Sequence, residues 1–179
     1  MSSMPIDRIA TKEHAAYRVS VREYVTFREN GYLVVRGLVP QDDIDAFNAH
    51  MDDLMAGRIT VPRERLAGYQ TGYPEKAADW LRAHMLHRML PIHEQVLLHP
   101  RVLDVLEAII GPDVLALQSM TFFKQPGQPG QGFHQDSYYI PTQPDTLCGA
   151  WIALTRADEA NGCLWFTEGS QNEPVYPDV

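Results

Sequence analysis

The sequence predicts an α+β fold in which helices come first and the start of an antiparallel β-barrel or sandwich follows. In the first part of the chain, apolar residues recur at helical spacing between capping and stop signals. After Gly111, short segments rich in β-branched and aromatic residues are separated by turn signals such as Asn161-Gly162. This change in residue composition and apolar spacing divides the chain into a helical part and a β part.

The first two helices are marked by their ends. Ser20 and Glu23 have the spacing of a capping box, and Gly31 stands where a helix would stop, which predicts a helix over 21–30. Residues 32–35 then predict a buried strand. Pro40 opens a second helix with apolar residues along one face, namely Ile44, Phe47, Met51, Leu54 and Met55.

A third helical region is predicted to begin near Ala77, after a Gly-, Pro- and charge-rich loop over 57–78. Its best-marked part runs over 100–110, with Pro100 at its start and Gly111-Pro112 at its end. The apolar stripe predicted to face the core comprises Val102, Leu103, Leu106, Ile109 and Ile110.

The β part begins with a β-rich segment over 114–124 and a glycine and proline loop over 127–132. Three further strands are predicted over 134–140, 147–155 and 164–167. We expect residues 1–14 to form a loose arm and residues 15–179 a single domain. Its helical part would cover about 15–111, and the first half of the barrel about 112–179.

Bulk properties narrow the class of protein. A chain of 179 residues with 45% hydrophobic and 21% charged residues is typical of a globular domain. A net charge of −8 argues against a nucleic-acid partner. No apolar run approaches the length of about 18 residues that a membrane span needs, and no signal peptide is evident. Cys148 and Cys163 are interpreted as buried small residues rather than a disulfide, and the cytoplasm is the expected compartment.

The most informative motif is His134-Gln135-Asp136. On an extended strand, residues two positions apart point to the same side, so the imidazole and the carboxylate could bind one metal ion. They would supply two of the three ligands in the 2-His-1-carboxylate triad that holds non-haem Fe(II). An exposed strand pair or a structural hydrogen bond is the alternative. No histidine follows His134 in the sequence.

Other candidates are weaker. On the segment 114–124, Gln118, Met120 and Lys124 share one face, so Lys124 would either point inward to an anionic ligand or lie at the surface. Core packing is the simpler interpretation of Met120 and Trp151. His84 and His87 could form a second metal pair, or lie on a solvated helix face. The nucleotide-binding, serine-nucleophile and paired-cysteine motifs are absent.

A resemblance rests on several motifs taken in order. They are Gly111-Pro112, Gln118-Ser119-Met120, Lys124-Gln125-Pro126-Gly127, Phe133-His134-Gln135-Asp136-Ser137-Tyr138, Ala150-Trp151-Ile152-Ala153-Leu154 and Asn161-Gly162-Cys163-Leu164. In this order and spacing they resemble the phytanoyl-CoA dioxygenase family of Fe(II)/2-oxoglutarate-dependent oxygenases. Residues 30–37 resemble the amino-terminal segment of the family, so the similarity covers most of the chain.

The resemblance implies helices packed on a double-stranded β-helix, that is, a jelly-roll or cupin-like barrel. It implies Fe(II) bound by His134 and Asp136, with 2-oxoglutarate as co-substrate. Gln118, Met120 and Trp151 match residues in or beside the 2-oxoglutarate pocket, and Lys124 matches a recurrent lysine. The implied reaction is hydroxylation of a small-molecule or acyl substrate. Halogenation is disfavoured because it would need a small residue in place of Asp136.

The chain also departs from the family pattern. The family barrel supplies a distal histidine and an arginine that pairs with 2-oxoglutarate, whereas no arginine lies beyond Arg156 here. Residues 167–171 resemble the family's Pro-Gly-Ser-His turn, with Glu168 and Gln171 in place of Pro and His. We expect the amino-terminal portion of a dioxygenase, with a barrel incomplete at its carboxyl end. The alternative is a non-catalytic fragment or binding module with a jelly-roll-like fold.

Overall fold

The computed structural model describes residues 14–61, 82–124, 126–127 and 130–177. Its helices are α1 (Val21–Asn30), α2 (Gln41–Met55), α3 (Pro91–Leu97), α4 (Pro100–Ile110) and the single turn α5 (Asp136–Tyr139). Its strands are β1 (Arg82–His84) and β2 (Met120–Phe122), and 3-10 turns lie at Leu86–Arg88 and Ser170–Asn172.

The chain divides into two compact units. The first takes its described residues from 14–15, 39–100 and 115–124, and the second from 16–38, 101–114 and 126–177. The assignment of residues 15–179 to one domain stays a prediction. The expected arm over 1–14 and the loop over 57–78 lie mostly outside the described residues, as does the predicted start of the third helical region near Ala77.

Helix α1 begins and ends as its sequence predicts. The Ser20 hydroxyl accepts a hydrogen bond from the Glu23 amide, and a Glu23 carboxylate oxygen accepts one from the Ser20 amide. Both halves of the capping box are therefore formed, which satisfies amides that the first turn leaves without partners. Gly31 ends the helix at φ 82°, the left-handed conformation that glycine adopts readily.

Helix α2 supplies much of the core of the first unit. Four of the five residues of its predicted apolar face, Ile44, Phe47, Met51 and Leu54, are buried, and Met55 is half-buried. Asp43 and His50 are also buried on this helix, which the apolar pattern did not predict. The other buried apolar residues of this unit are Ala83, Met85, Leu86, Leu90 and Ile92.

Helix α4 has the bounds that its proline start and glycine stop predict. Three residues spaced along one face, Val102, Val105 and Ile109, are buried. Of these, Val105 was not in the predicted stripe, and the other predicted members are half-buried. The core of the second unit is thus centred slightly to one side of the predicted stripe.

The predicted strands are mostly wrong. Among the described residues, the one ladder pairs β1 with β2 in antiparallel register, with Arg82 opposite Phe122 and His84 opposite Met120. The segments 32–35, 147–155 and 164–167 form no ladder, and 134–140 contains the turn α5 instead of a strand. A strand needs a neighbouring strand in register, and no strand of the described chain pairs with these segments.

The closed jelly-roll barrel is therefore not confirmed. No residue among the described part of 126–177 is buried, and large apolar side chains such as Phe133 and Trp165 are exposed. Alternation of apolar and polar residues predicts a strand only where one face packs on a core. The segment 126–177 has the composition of strands, but its described residues form no buried core.

Both cysteines are free and half-buried. Burial raises the pKa of the Cys148 thiol. No helix in the described part of the chain has the length and apolarity to cross a membrane.

Candidate metal centre

The two predicted metal ligands lie side by side in the second unit. The Nε2 atom of His134 is 3.2 Å from the Oδ1 atom of Asp136. Between them Gln135 is extended, with φ −110° and ψ 119°, and stands directly before the turn α5. An extended residue places its two neighbours on one side of the backbone, so the predicted pairing holds although the strand does not form.

Hydrogen bonds define which nitrogen of His134 faces the carboxylate. Its Nδ1 atom is 2.8 Å from the carbonyl oxygen of Gly132, an acceptor, so Nδ1 carries the hydrogen and donates it. Its Nε2 atom is 3.3 Å from the side-chain nitrogen of Gln131, which can only donate. Nε2 therefore presents a lone pair on the side of Asp136.

This arrangement suits a cation. The lone pairs of Nε2 and of the Asp136 carboxylate are both acceptors, and acceptors at hydrogen-bonding distance repel unless a proton or a metal ion lies between them. Metal bonds of about 2.1 Å at right angles place neighbouring donors about 3.0 Å apart, close to the separation observed here. The hydrogen bond from Nδ1 to a backbone carbonyl is the usual support of a ligating histidine.

The pair is open to solvent. The side chains of His134 and Asp136 are 33% and 65% exposed. Tyr139 lies edge-on to the imidazole, with ring centroids 6.3 Å apart. Exposed positions of this kind leave room for further ligands, which a facial triad with open coordination positions requires.

Gln135 has a role that the sequence analysis missed. Its side-chain nitrogen donates to the carbonyl of Pro174 at 3.0 Å, and its side-chain oxygen accepts from the amide of Tyr176 at 2.8 Å. The nitrogen and the oxygen of the Gln135 side-chain amide thus both bind the segment 174–176. The signal was present in the motif, because the residue between two ligands on an extended backbone points to the opposite side.

The predicted co-substrate residues belong to both units. In the first unit, Gln118 and Lys124 are exposed, and Met120 is half-buried on β2 opposite His84. In the second unit, Trp151 is 49% exposed, so core packing, the simpler interpretation of this residue, is wrong. Core packing also accounts for Met120 only in part, since one side of it stays accessible.

His84 and His87 do not form the suggested pair on a helix face. His84 ends β1, and His87 lies in the 3-10 turn that follows. The Nδ1 atom of His87 is 2.6 Å from the hydroxyl of Ser119, and the amide of Met85 donates to the Ser119 carbonyl. Burial, followed by the charge of Arg88, lowers the pKa of His87.

A second cluster was also missed. His14, Asp43 and His99 of the first unit converge, although they are far apart in sequence. Only tertiary packing brings them together, so no local spacing signals them.

Comparisons with known proteins agree with the resemblance found in the sequence. Residues 27–179 match the family model described as phytanoyl-CoA dioxygenase. Phytanoyl-CoA dioxygenase domain-containing protein 1 of Danio rerio is 29% identical, over 83% of this chain and 64% of its own length. The peroxisomal phytanoyl-CoA dioxygenase of Rattus norvegicus is 27% identical, over 89% of this chain and 49% of its own. The phytanoyl-CoA dioxygenase of Arabidopsis thaliana is 26% identical, over 80% and 62%.

The chain thus spans about half to two thirds of the length of these relatives. No solved structure matches it significantly. Since the family model covers most of the sequence, the chain belongs to the phytanoyl-CoA dioxygenase family.

Proposed function

We propose that this chain contributes two iron ligands, His134 and Asp136, to an Fe(II)- and 2-oxoglutarate-dependent dioxygenase. The observation that carries the proposal is the separation of 3.2 Å between Nε2 of His134 and Oδ1 of Asp136. The hydrogen bond from Nδ1 to Gly132 supports it, because it leaves the lone pair of the ring on Nε2, where an ion would replace the contact with Gln131. Family membership supplies the reaction class.

The two ligands have different tasks. His134 supplies a neutral nitrogen donor whose ring orientation is held by Gly132. Asp136 supplies the negative charge that offsets part of the charge of a divalent ion. Bound iron would supply the activation of O₂, with 2-oxoglutarate as the co-substrate that is oxidised. The protein would position the substrate beside the bound ion.

We propose Gln118, Met120, Lys124 and Trp151 as contacts of 2-oxoglutarate. Lys124 supplies a cation just past the end of β2, and a dicarboxylate would need such a charge. The half-exposed indole of Trp151 offers an apolar surface in the same unit as the ligand pair. Gln118 offers a hydrogen-bonding amide, and Met120 a flexible apolar contact.

The substrate class that we propose is a small molecule or an acyl compound, hydroxylated at a C–H bond. The names of the relatives point to an acyl-CoA, and the carboxylate at Asp136 favours hydroxylation over halogenation. Residues 135–179 contain no histidine. We therefore propose that the third nitrogen ligand, and an arginine for 2-oxoglutarate, come from outside this range.

The net charge of −8 disfavours binding to nucleic acids, so we propose a small-molecule substrate and no nucleic-acid partner. We propose the cytoplasm as the compartment. Fractionation of cells that express the tagged protein tests this directly, and recovery in peroxisomes, for which some relatives are named, would contradict it.

The main test is anaerobic titration of the protein with Fe(II) and 2-oxoglutarate. In a chain extended to include a distal histidine and arginine, we expect the weak visible charge-transfer band of the iron chelate. His134→Ala and Asp136→Ala should each abolish the band and the decarboxylation of 2-oxoglutarate. Glu159→Gln, an exposed acidic change in the same unit, is the matched control and should leave both intact. Retention of the band in His134→Ala would remove His134 from the iron site.

A non-catalytic fragment or binding module is the second candidate. The exposure of both ligands favours it, because two solvated donors hold an ion far less tightly than three. The chain of 179 residues alone should then show no band under conditions in which the extended chain does. A band of equal strength in both chains would contradict the need for a distal ligand.

A further inference from the structure

The first unit contains a buried carboxylate with two imidazoles directed at it. Asp43 lies in the first turn of α2, and its side chain is 5% exposed. The Nε2 atom of His14 is 2.9 Å from its Oδ2 atom, and the Nε2 atom of His99 is 3.3 Å from the same oxygen. The side chains of His14 and His99 are 14% and 2% exposed.

A carboxylate at this depth needs compensation. Transfer of a charged group from water to a protein interior is costly unless the group is paired or binds a metal ion. The ion-pair partners that the described residues provide for Asp43 are these two histidines, not a lysine or an arginine. Both histidines direct a ring nitrogen at the carboxylate, and a divalent cation among the three side chains would provide the compensating charge.

The spacing of the donor atoms fits one ion. Bonds of about 2.1 Å place neighbouring donors about 3.0 Å apart in an octahedral site and about 3.4 Å apart in a tetrahedral one. The two distances to Asp43, 2.9 and 3.3 Å, are close to these two values, and one ligand atom of each side chain lies within 4.8 Å of the others. The rings of His14 and His99 stack with centroids 5.5 Å apart, and both direct Nε2 at the same oxygen of Asp43.

The donor types select the kind of ion. Two imidazole nitrogens and one carboxylate oxygen suit Zn²⁺ and neighbouring divalent transition ions, whereas Mg²⁺ and Ca²⁺ prefer oxygen donors. Three protein donors leave at least one coordination position, and His14 is the member of the cluster that solvent reaches. Such a site is open on one side, as sites with an exchangeable ligand are.

The Nδ1 atom of His99, which does not face Asp43, limits the expected affinity of the cluster for a metal ion. This atom is buried and has no hydrogen-bond partner among the described residues. A ligating histidine is usually oriented by such a partner, and loss of the partner weakens metal binding about 10- to 100-fold. Binding should therefore be weaker than in a site whose histidines are fully supported.

We propose that His14, Asp43 and His99 form a binding site for Zn²⁺ or a similar transition ion, built from residues other than the His134–Asp136 pair. The ion joins the segment before α1 to α2 and to the short connection that follows α3. Metal binding at this cluster is inferred from the donor atoms and the burial of its three side chains alone. It does not depend on the proposed dioxygenase activity.

The experiment uses the chain carrying both His134→Ala and Asp136→Ala, freed of metal with a chelator and titrated with Co²⁺. We expect one Co²⁺ per chain, with visible absorption bands that Zn²⁺ displaces. His14→Gln in the same background changes the most accessible ligand and should raise the Kd for Co²⁺ at least tenfold. Gln41→Ala, an exposed change at the start of α2, is the matched control and should leave the Kd unchanged.

A second measurement keeps the proposal testable if the ligand variants fold poorly. X-ray absorption of Zn²⁺ bound to the His134→Ala, Asp136→Ala chain should show two imidazole donors among the ligands. Absence of Co²⁺ binding in that chain would overturn the proposal, as would an unchanged Kd in folded His14→Gln. The cluster would then be a hydrogen-bonded carboxylate without a metal.

Discussion

The side chain of Gln171 occupies the space that a side chain on Gly31 would need. A Cβ atom built on Gly31 would overlap the amide of Gln171. That amide donates to the carbonyls of Arg28 and Glu29 in the last turn of α1, at 3.1 and 3.2 Å. Gln171 therefore satisfies carbonyls that a helix end leaves without partners.

Replacement of Gly31 by alanine should reduce stability for two reasons. The left-handed conformation at φ 82° costs a residue with a Cβ about 1–2 kcal/mol, and the overlap with Gln171 adds to that cost. Gly57→Ala is the matched control, because Gly57 has φ 72° but no atom of the described residues within 4 Å of its added Cβ. Urea denaturation should show a larger loss for Gly31→Ala, and equal losses would contradict the contact with Gln171.

His93 should make the protein sensitive to acid. Burial, with smaller effects of His50 and His87, lowers its pKa from 6.5 to about 3. In the unfolded chain His93 takes up a proton near pH 6.5, whereas in the folded chain it does so only near pH 3. Between these two pH values the unfolded state binds more protons, so the free energy of unfolding falls as the pH falls. The slope from this residue approaches about 1.4 kcal/mol per pH unit at most.

The change that tests this is His93→Leu, which keeps an apolar contact with Phe47, whose ring centroid lies 4.8 Å from that of His93. Urea denaturation between pH 7 and pH 4 should show a shallower loss of stability than in the unaltered chain. An identical pH slope in both proteins would show that His93 is not the group responsible.

Gln135 should hold the segment 174–176 in place. Because the Tyr176 amide donates to the Gln135 side chain, Gln135→Ala should raise the hydrogen-exchange rate of that amide. One net hydrogen bond is worth about 1 kcal/mol, which corresponds to about a fivefold change in rate. Gln135→Glu keeps an acceptor oxygen and should preserve the protection. Equal exchange of the Tyr176 amide in Gln135→Ala and the unaltered chain would contradict the contact.

Cys148 should react slowly with alkylating reagents. Burial raises the pKa of its thiol, and the thiolate is the reactive form. Alkylation by iodoacetamide at pH 8, followed by mass spectrometry of the Cys148 peptide, should be several-fold slower in the folded chain than in urea. The same rate in both states would show that the folded structure does not shield this thiol.

The helices could be predicted because their signals are local. Ser20, Glu23 and Gly31 lie within one helix and its caps, and each acts on neighbouring backbone groups. Pro100 fixes the start of α4 in the same local way. Asp43, by contrast, is buried against histidines from distant parts of the chain, which no helical periodicity encodes.

The strands could not be predicted in this way because a strand depends on a partner. The segment over 164–167 has the composition of a strand, but no described neighbour completes its ladder. The pairing of His134 with Asp136 was nevertheless predicted, because it needs only an extended residue between them, and Gln135 is extended. The bonds from Gln135 to residues 174–176 were out of reach, since they join segments of unrelated sequence.

The carbonyl of Gly132 has a consequence for any ion at the neighbouring pair. That oxygen determines which imidazole nitrogen of His134 bears the hydrogen. If the peptide plane rotated and turned the oxygen away, the hydrogen could move to Nε2, and the ring would bond to Asp136 directly. A single peptide orientation in the preceding loop would then decide between an internal hydrogen bond and a ligand ready for metal.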